Sequence, residues 1–181
     1  QALAQTPVAT PAAPLAVAPT SNLAPELAAL RDAFAAGVPA KYQVVLTPEL
    51  QAAQDAAIRS YPEVQALTAP EFLVVVNRHA KAQSLSVVLT DGKTIEYIGS
   101  AKVSTGDLKR KKHFHTPIGL FENKREFGNY RAEGTKNENG IRGYGKKGMR
   151  VFDFGWQESV GSWGRGDPAQ IRLQMHATDP D

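Results

Sequence analysis

The feature that most constrains the fold is a change of hydrophobic pattern at Phe72. Before Phe72 the apolar residues have the spacing of helices. From Phe72 onward the chain consists of short apolar segments separated by turn residues. Predicted strands lie at 72–76, 84–90, 94–103, 151–156 and 171–176. Asp91-Gly92, between the second and third strands, is typical of a tight hairpin turn. The sequence therefore predicts a mainly β (α+β) domain that begins near residue 72.

Two helices are predicted ahead of this domain. Asn22 can cap a first helix, whose apolar stripe of Leu23, Leu27, Leu30 and Phe34 ends before Gly37. Thr47 caps a second helix with Pro48 at its first position, and Pro62 should end it near Tyr61. Residues 1–20 are rich in Ala and Pro and predict a flexible tether, typical of the segment after a removed export signal. The predicted organisation is a tether (1–20), a helical segment (21–71) and a β domain (72–181).

Composition excludes several kinds of chemistry. The 181 residues contain no cysteine, so they hold no disulfide, thiolate metal site or cysteine nucleophile. No apolar run approaches the length of about 20 residues that a membrane-spanning helix needs. Residues 1–71 carry three basic and six acidic side chains, and the remaining residues carry eighteen and twelve. This basic second part would attract polyanions such as nucleic acid, anionic lipid or an anionic wall polymer.

Several short motifs do not support the functions they suggest. Residues 143–148 match G-x-G-x-x-G but lack the preceding strand and following helix of a dinucleotide site, so they predict a surface loop within 128–148. Residues 153–155 spell D-F-G without the other kinase elements. The basic run 109–112 is typical of a solvated loop. His113 and His115 could ligate a metal, but the adjacent cations oppose it, so no metal or cofactor is expected.

The order of two later motifs resembles the L,D-transpeptidase catalytic domain (YkuD family). A strand ending in V-S-T-G (103–106) is followed by T-P-I-G-L-F (116–121), and Leu173-Gln174-Met175-His176-Ala177-Thr178 resembles the family's H-G-T segment. The resemblance covers about residues 72–181 and implies a YkuD-like β-sandwich. Gly106 and Gly119 fall where the backbone needs unusual angles, which indicates an architectural role.

The resemblance implies cysteine acyl transfer on peptidoglycan stem tetrapeptides. A thiolate would attack the third residue, release the terminal D-alanine and form a thioester, which a second stem, a wall-anchored lipoprotein or water then accepts. His176 matches the family's general base. Peptidoglycan stem peptides are then the expected partners, and the periplasm or cell wall the expected location.

The absence of cysteine is the main departure from the family pattern. The family's nucleophile lies shortly downstream of the histidine, so we expect residues 72–181 to be a C-terminally incomplete domain. Two alternatives remain open. One is a homologue that binds peptidoglycan without catalysis. The other is a nucleic-acid-binding β domain using the basic run 109–112 and the loop around Lys146, although that run lacks interleaved aromatic residues.

Overall fold

The computed structural model describes residues 24–106, 114–160 and 168–178. Their helices are α1 (Ala24–Gly37), α2 (Pro48–Arg59) and α3 (Pro62–Gln65), with 3-10 turns at Ala40–Tyr42 and Arg125–Phe127. Their strands are β1 (Glu71–Asn77), β2 (Ser84–Thr90), β3 (Ile95–Lys102), β4 (Tyr130–Arg131), β5 (Arg150–Val160) and β6 (Pro168–Met175). They form two antiparallel three-stranded sheets, β1-β2-β3 and β4-β5-β6. The architecture is therefore mixed α+β.

Local sequence signals place the helices as expected. The Thr47 side chain accepts a hydrogen bond from the Leu50 N–H at 3.3 Å, and Pro48 occupies the first turn of α2. Tyr61 is extended, with ψ 119°, because the following Pro62 disfavours helical geometry. The chain then forms the short helix α3, which the sequence analysis did not predict. The predicted tether (1–20) and the predicted cap Asn22 lie outside the described residues.

The predicted hairpin of β2 and β3 is confirmed, and Asp91 organises its turn. One carboxylate oxygen of Asp91 accepts hydrogen bonds from the Lys93 and Thr94 N–H groups at 2.9 and 2.7 Å and from the Thr94 hydroxyl at 2.9 Å. These hydrogen bonds lower the pKa of Asp91 to about 2. The Asp91 carboxylate is thus the hydrogen-bond acceptor for two backbone N–H groups of the turn.

The first sheet has helices on both faces because its strands carry apolar residues on both sides. On one face α1 contributes Leu27 to a cluster with Leu89 and Ile98. On the other face Ile58 of α2 and Val64 of α3 pack with Val88, which is completely buried. Along β2, Val87 and Leu89 therefore contact one core and Val88 contacts the other.

The second sheet is built around a long β5–β6 hairpin. Phe152 pairs with Met175 at one end and Val160 with Pro168 at the other, with a register shift between Asp153 and Trp156. The predicted strands at 151–156 and 171–176 are confirmed in location. β5 extends beyond both predicted limits, and β6 begins three residues earlier and ends one residue earlier than predicted. β4 lies within the predicted loop 128–148 and was not expected.

Hydrogen bonds at the V-S-T-G and T-P-I-G segments connect the two sheets. The Thr116 N–H donates to the Thr105 carbonyl oxygen at 2.9 Å, and Arg78 Nη1 donates to the Thr116 carbonyl oxygen at 2.6 Å. The neighbouring His115 N–H donates to the Val160 carbonyl oxygen of β5 at 3.2 Å. Gly106 has φ 82°, and a Cβ there would overlap the Phe114 carbonyl oxygen. The unusual backbone predicted at Gly106 is confirmed, since only glycine tolerates both conditions. The two motif halves are therefore neighbours in space.

Candidate functional site

His176 lies directly after the end of β6, at the end of the hairpin where Phe152 pairs with Met175. Its side chain is exposed. Nδ1 lies 2.9 Å from the carbonyl oxygen of Ala177. Because a carbonyl oxygen only accepts hydrogen bonds, Nδ1 must carry the proton in this contact. In the neutral ring Nε2 then holds the free lone pair, as a general base requires.

The glycine motif at 143–148 packs against the segment that carries His176. The Tyr144 ring centroid lies 4.6 Å from that of His176, with the planes tilted by 50°. Gly145 has φ 82°, and a Cβ there would lie 3.0 Å from the Cβ of Ala177. Thr178 Oγ1 lies 3.5 Å from the Arg142 carbonyl oxygen. The predicted surface loop is therefore part of the His176 environment.

Internal hydrogen bonds hold this loop in position. The Asn137 carboxamide oxygen accepts from the Asn139 and Ile141 N–H groups at 2.9 and 3.0 Å. At the base of the loop, the Gly148 N–H donates to the Ala132 carbonyl oxygen. The Ala132 N–H donates to the Met149 carbonyl oxygen. The loop is closed where β4 meets β5, which fixes the position of Tyr144.

Asp153 is a buried polar centre on the same hairpin. Its carboxylate accepts from Arg172 Nε at 2.9 and 3.0 Å, from the Gln174 carboxamide at 2.9 Å and from the Gly155 N–H at 2.8 Å. Burial raises its pKa, but the hydrogen bonds from Gln174, Gly155 and Arg172 together outweigh burial, so the pKa of Asp153 is lowered. Asp153 therefore stays ionised and anchors the part of β6 that leads to His176.

A chain of contacts links this centre to the histidine. Gln174 donates to Asp153, and its side chain is also near enough to Tyr130 to lower the pKa of that phenol. The Tyr130 ring lies 6.2 Å from that of Tyr144, which contacts His176. Burial, followed by the charge interaction with Tyr144, raises the pKa of Tyr130 above its ordinary value. The sequence gives no signal for these contacts, because Asp153, Tyr130 and Tyr144 lie in other segments of the chain than His176.

The other residues considered from the sequence lie elsewhere. The basic run 109–112 and His113 lie outside the described residues. His115 lines a cavity of about 320 Å³ with Arg78, Pro117, Ile118, Glu158, Ser159, Val160 and Pro168. Pro168 begins β6, so this cavity lies about 27 Å along the hairpin from His176. The cavity and the histidine are therefore separate features.

Within residues 24–106, 114–160 and 168–178, no helix is long and apolar enough to cross a membrane. No group of three or more His, Asp or Glu side chains there is arranged to hold a metal ion.

No model of a protein family matches the chain, and no curated protein matches it. The resemblance to L,D-transpeptidases therefore depends on the motifs quoted above. Chemically, the site offers an exposed imidazole that contacts one aromatic ring, and the 181 residues supply no thiol.

Proposed function

We propose that residues 72–181 belong to a peptidoglycan L,D-transpeptidase in which His176 is the general base. The observation that carries the proposal is the hydrogen bond from His176 Nδ1 to the Ala177 carbonyl oxygen. It leaves Nε2 as the proton acceptor on an exposed ring at the end of a strand, in the segment that resembles the family's histidine motif. The adjacency of V-S-T-G and T-P-I-G supports the same assignment.

The proposed reaction needs a cysteine thiol outside these 181 residues. Nε2 would accept the thiol proton as the sulfur attacks the carbonyl carbon of the third stem residue. The C–N bond to the terminal D-alanine then breaks, and the histidine returns the proton to the leaving amine. The acceptor amine of a second stem or a wall-anchored lipoprotein, or water, takes the acyl group from the thioester.

The charge of the domain is compatible with an exported, wall-associated protein. Residues 72–181 carry six more basic than acidic side chains. Lys146 and Lys147 lie in the loop that contacts His176. An anionic wall polymer would be attracted to such a surface. No cofactor enters this mechanism.

The experiment is mass spectrometry of the purified natural protein after incubation with a carbapenem. A thiol titration before the incubation should find at least one thiol. Mass spectrometry after the incubation should then find a single adduct on a cysteine. His176→Ala should slow adduct formation by about 100-fold or more, as loss of a general base does. The control is His79→Ala, which removes another exposed histidine. A titratable thiol that never forms the adduct would reject the proposal.

A second candidate is a protein that binds peptidoglycan without catalysis, and the absence of cysteine from the 181 residues favours it. Under this candidate the 181-residue chain itself is retained on purified sacculi, and the natural protein shows no thiol. Retention without a thiol selects the binding protein, and an adduct selects the enzyme. The nucleic-acid alternative depends largely on the run 109–112, which lies outside the described residues.

A further inference from the structure

One face of the β5–β6 hairpin carries three cross-strand pairs of exposed residues. Directly opposed residues of an antiparallel pair point to the same face of the sheet, as do alternate residues of one strand. The register of the hairpin therefore places on one face Trp156 with Arg172, Glu158 with Gln170 and Val160 with Pro168. All six residues are exposed, whereas the residues between them are buried or half-buried. We call these six residues the hairpin face.

A bulge in β5 determines where Trp156 points. Asp153 pairs with Gln174 and Trp156 pairs with Arg172, so β5 advances three residues where β6 advances two. The extra residue places Trp156 on the same face as Asp153, although three residues separate them in the strand. Trp156 is left 63% exposed on this face. Bulges commonly re-aim a side chain next to a functional site.

Arg172 holds the indole ring of Trp156. Its guanidinium carbon lies 5.9 Å from the ring centroid, in the range of a cation–π contact. The guanidinium is itself fixed, because Nε donates to both carboxylate oxygens of Asp153 and Nη2 donates to the Phe127 carbonyl oxygen at 3.3 Å. Trp156 keeps its high exposure beside this group, so the opposite side of the ring is available. The ring is therefore an aromatic platform that is already oriented.

Polar side chains follow the platform along the hairpin. Glu158 and Gln170 oppose each other one pair beyond Trp156. Within the described ranges neither of these two side chains forms a hydrogen bond or an ion pair. A carboxylate accepts hydrogen bonds, and a carboxamide both donates and accepts them. The hairpin face thus places available hydrogen-bonding groups about 7 Å along the strands from an aromatic ring.

The far end of the hairpin face borders the cavity of about 320 Å³ described above. The residues that belong to both are Glu158, Val160 and Pro168. Arg78, on another wall of the cavity, uses Nη1 for the Thr116 carbonyl oxygen, but a guanidinium has five N–H donors. Small-molecule sites usually combine apolar walls with a few polar groups, as this cavity does.

We propose that the hairpin face binds an oligosaccharide, with one pyranose ring stacked on Trp156 and the following sugar units directed towards the cavity. A pyranose presents C–H groups on one side, which pack on an aromatic ring, and hydroxyl groups around its rim. Trp156 provides the ring, and Glu158 and Gln170 provide partners for the hydroxyl groups. The face extends about 14 Å along the strands, which suits a short oligosaccharide.

The composition of the face favours a glycan over a protein partner. The core of a protein interface is apolar and depleted of charged residues. Here the aromatic ring is flanked by Arg172 and Glu158, and an apolar partner seated on the ring would bury the Glu158 carboxylate without compensation. Sugar hydroxyl groups would instead donate to that carboxylate. The inference goes beyond the proposed acyl transfer, because the hairpin face does not include His176 and needs no thiol.

The first test is an NMR titration of the 181-residue chain with chitohexaose and with cellohexaose. The chain has two tryptophans, so Trp163→Phe identifies the indole N–H signal of Trp156. We expect this signal to shift with a dissociation constant of about 0.1 to 5 mM, because a shallow, exposed face buries little area. The two probes differ in their N-acetyl groups, so the tighter one identifies the class of sugar.

The second test replaces the platform and follows binding by the backbone amide signals of β6. Trp156→Ala should weaken binding by about 10-fold or more, as loss of a stacking ring does. Trp156→Phe keeps an aromatic ring and should retain most of the affinity. The matched control is Phe72→Ala, which removes an aromatic side chain that is 58% exposed on β1 and should leave binding unchanged.

The outcomes separate a glycan from other occupants of the face. Binding of either probe that Trp156→Ala weakens and Phe72→Ala does not supports the proposal. If neither probe shifts the Trp156 signal, the proposal is overturned. Binding that is equally strong in Trp156→Ala overturns it as well, because the ring is then not the platform. The carbapenem adduct forms on a cysteine outside these 181 residues, so the transpeptidase proposal can fail or succeed independently.

Discussion

The ring of Tyr144 packs against the imidazole of His176, with centroids 4.6 Å apart. The two residues are 32 positions apart in the chain, and the contact forms because the glycine loop folds back over the end of β6. The aromatic ring limits the orientations of the histidine, while the Ala177 carbonyl oxygen selects the protonated nitrogen. This pair is the centre of the candidate site.

The first prediction concerns this packing. Tyr144→Ala should release the His176 ring, so that the form with the proton on Nε2 becomes populated beside the Nδ1–H form. Tyr144→Phe keeps the ring and should preserve the Nδ1–H form. The measurement is the ¹⁵N chemical shifts of the neutral imidazole. Unchanged shifts in the alanine variant would show that Tyr144 does not position the ring.

The second prediction concerns the buried carboxylate. Asp153→Ala leaves Arg172 and Gln174 without their shared acceptor and should reduce the free energy of unfolding by about 3 kcal/mol. Asp153→Asn retains the shape and should cost less. Urea unfolding measures both, with Glu158→Gln at an exposed position of β5 as the control. Equal stability of the alanine variant and the wild type would contradict a role for Asp153 as an anchor.

The third prediction concerns acid. Asp91 has a folded pKa of about 2 against an ordinary value of 3.8, so the folded state prefers the ionised form. Its contribution to stability is complete above about pH 5 and is lost as the pH falls through 3.8 towards 2. Asp91→Asn should lower stability at pH 7 and flatten this acid dependence. Unfolding curves between pH 2 and pH 7 test it.

A matched control for the acid prediction is Asp32→Asn on the exposed side of α1. Its stability curve should follow the wild type, because no turn depends on that carboxylate. A wild-type slope in the Asp91 variant would show that the turn hydrogen bonds do not control acid sensitivity. Asp153, whose pKa is also lowered, should supply the residual slope.

The fourth prediction concerns the contact between α1 and β3. A Cβ at Gly99 would overlap the ring of Phe34. Gly99→Ala should therefore destabilise the fold by about 1–3 kcal/mol through overpacking. Phe34→Leu in the same chain should recover part of this loss, because the shorter side chain leaves room. If the two substitutions are simply additive in thermal unfolding, the packing assignment is wrong.

The candidate site was only partly predictable from the sequence. His176 was identified because the segment around it resembles a family motif. Tyr144 and Asp153 were not, since a tyrosine between glycines or a D-F-G sequence carries no local signal for packing near a histidine. The cavity that contains His115 likewise depends on how β5 and β6 pair.

The sequence by itself determined the elements whose causes are local. The Thr47 cap, the turn at Asp91-Gly92 and the period of two along β1–β3 act within a few residues, so they can be read directly. The tertiary structure alone decided that Gly99 receives the ring of Phe34, that Asp153 collects Arg172 and Gln174, and that the glycine loop contacts His176. These contacts join residues 19 to 65 positions apart, and they form only after the sheets have brought the segments together.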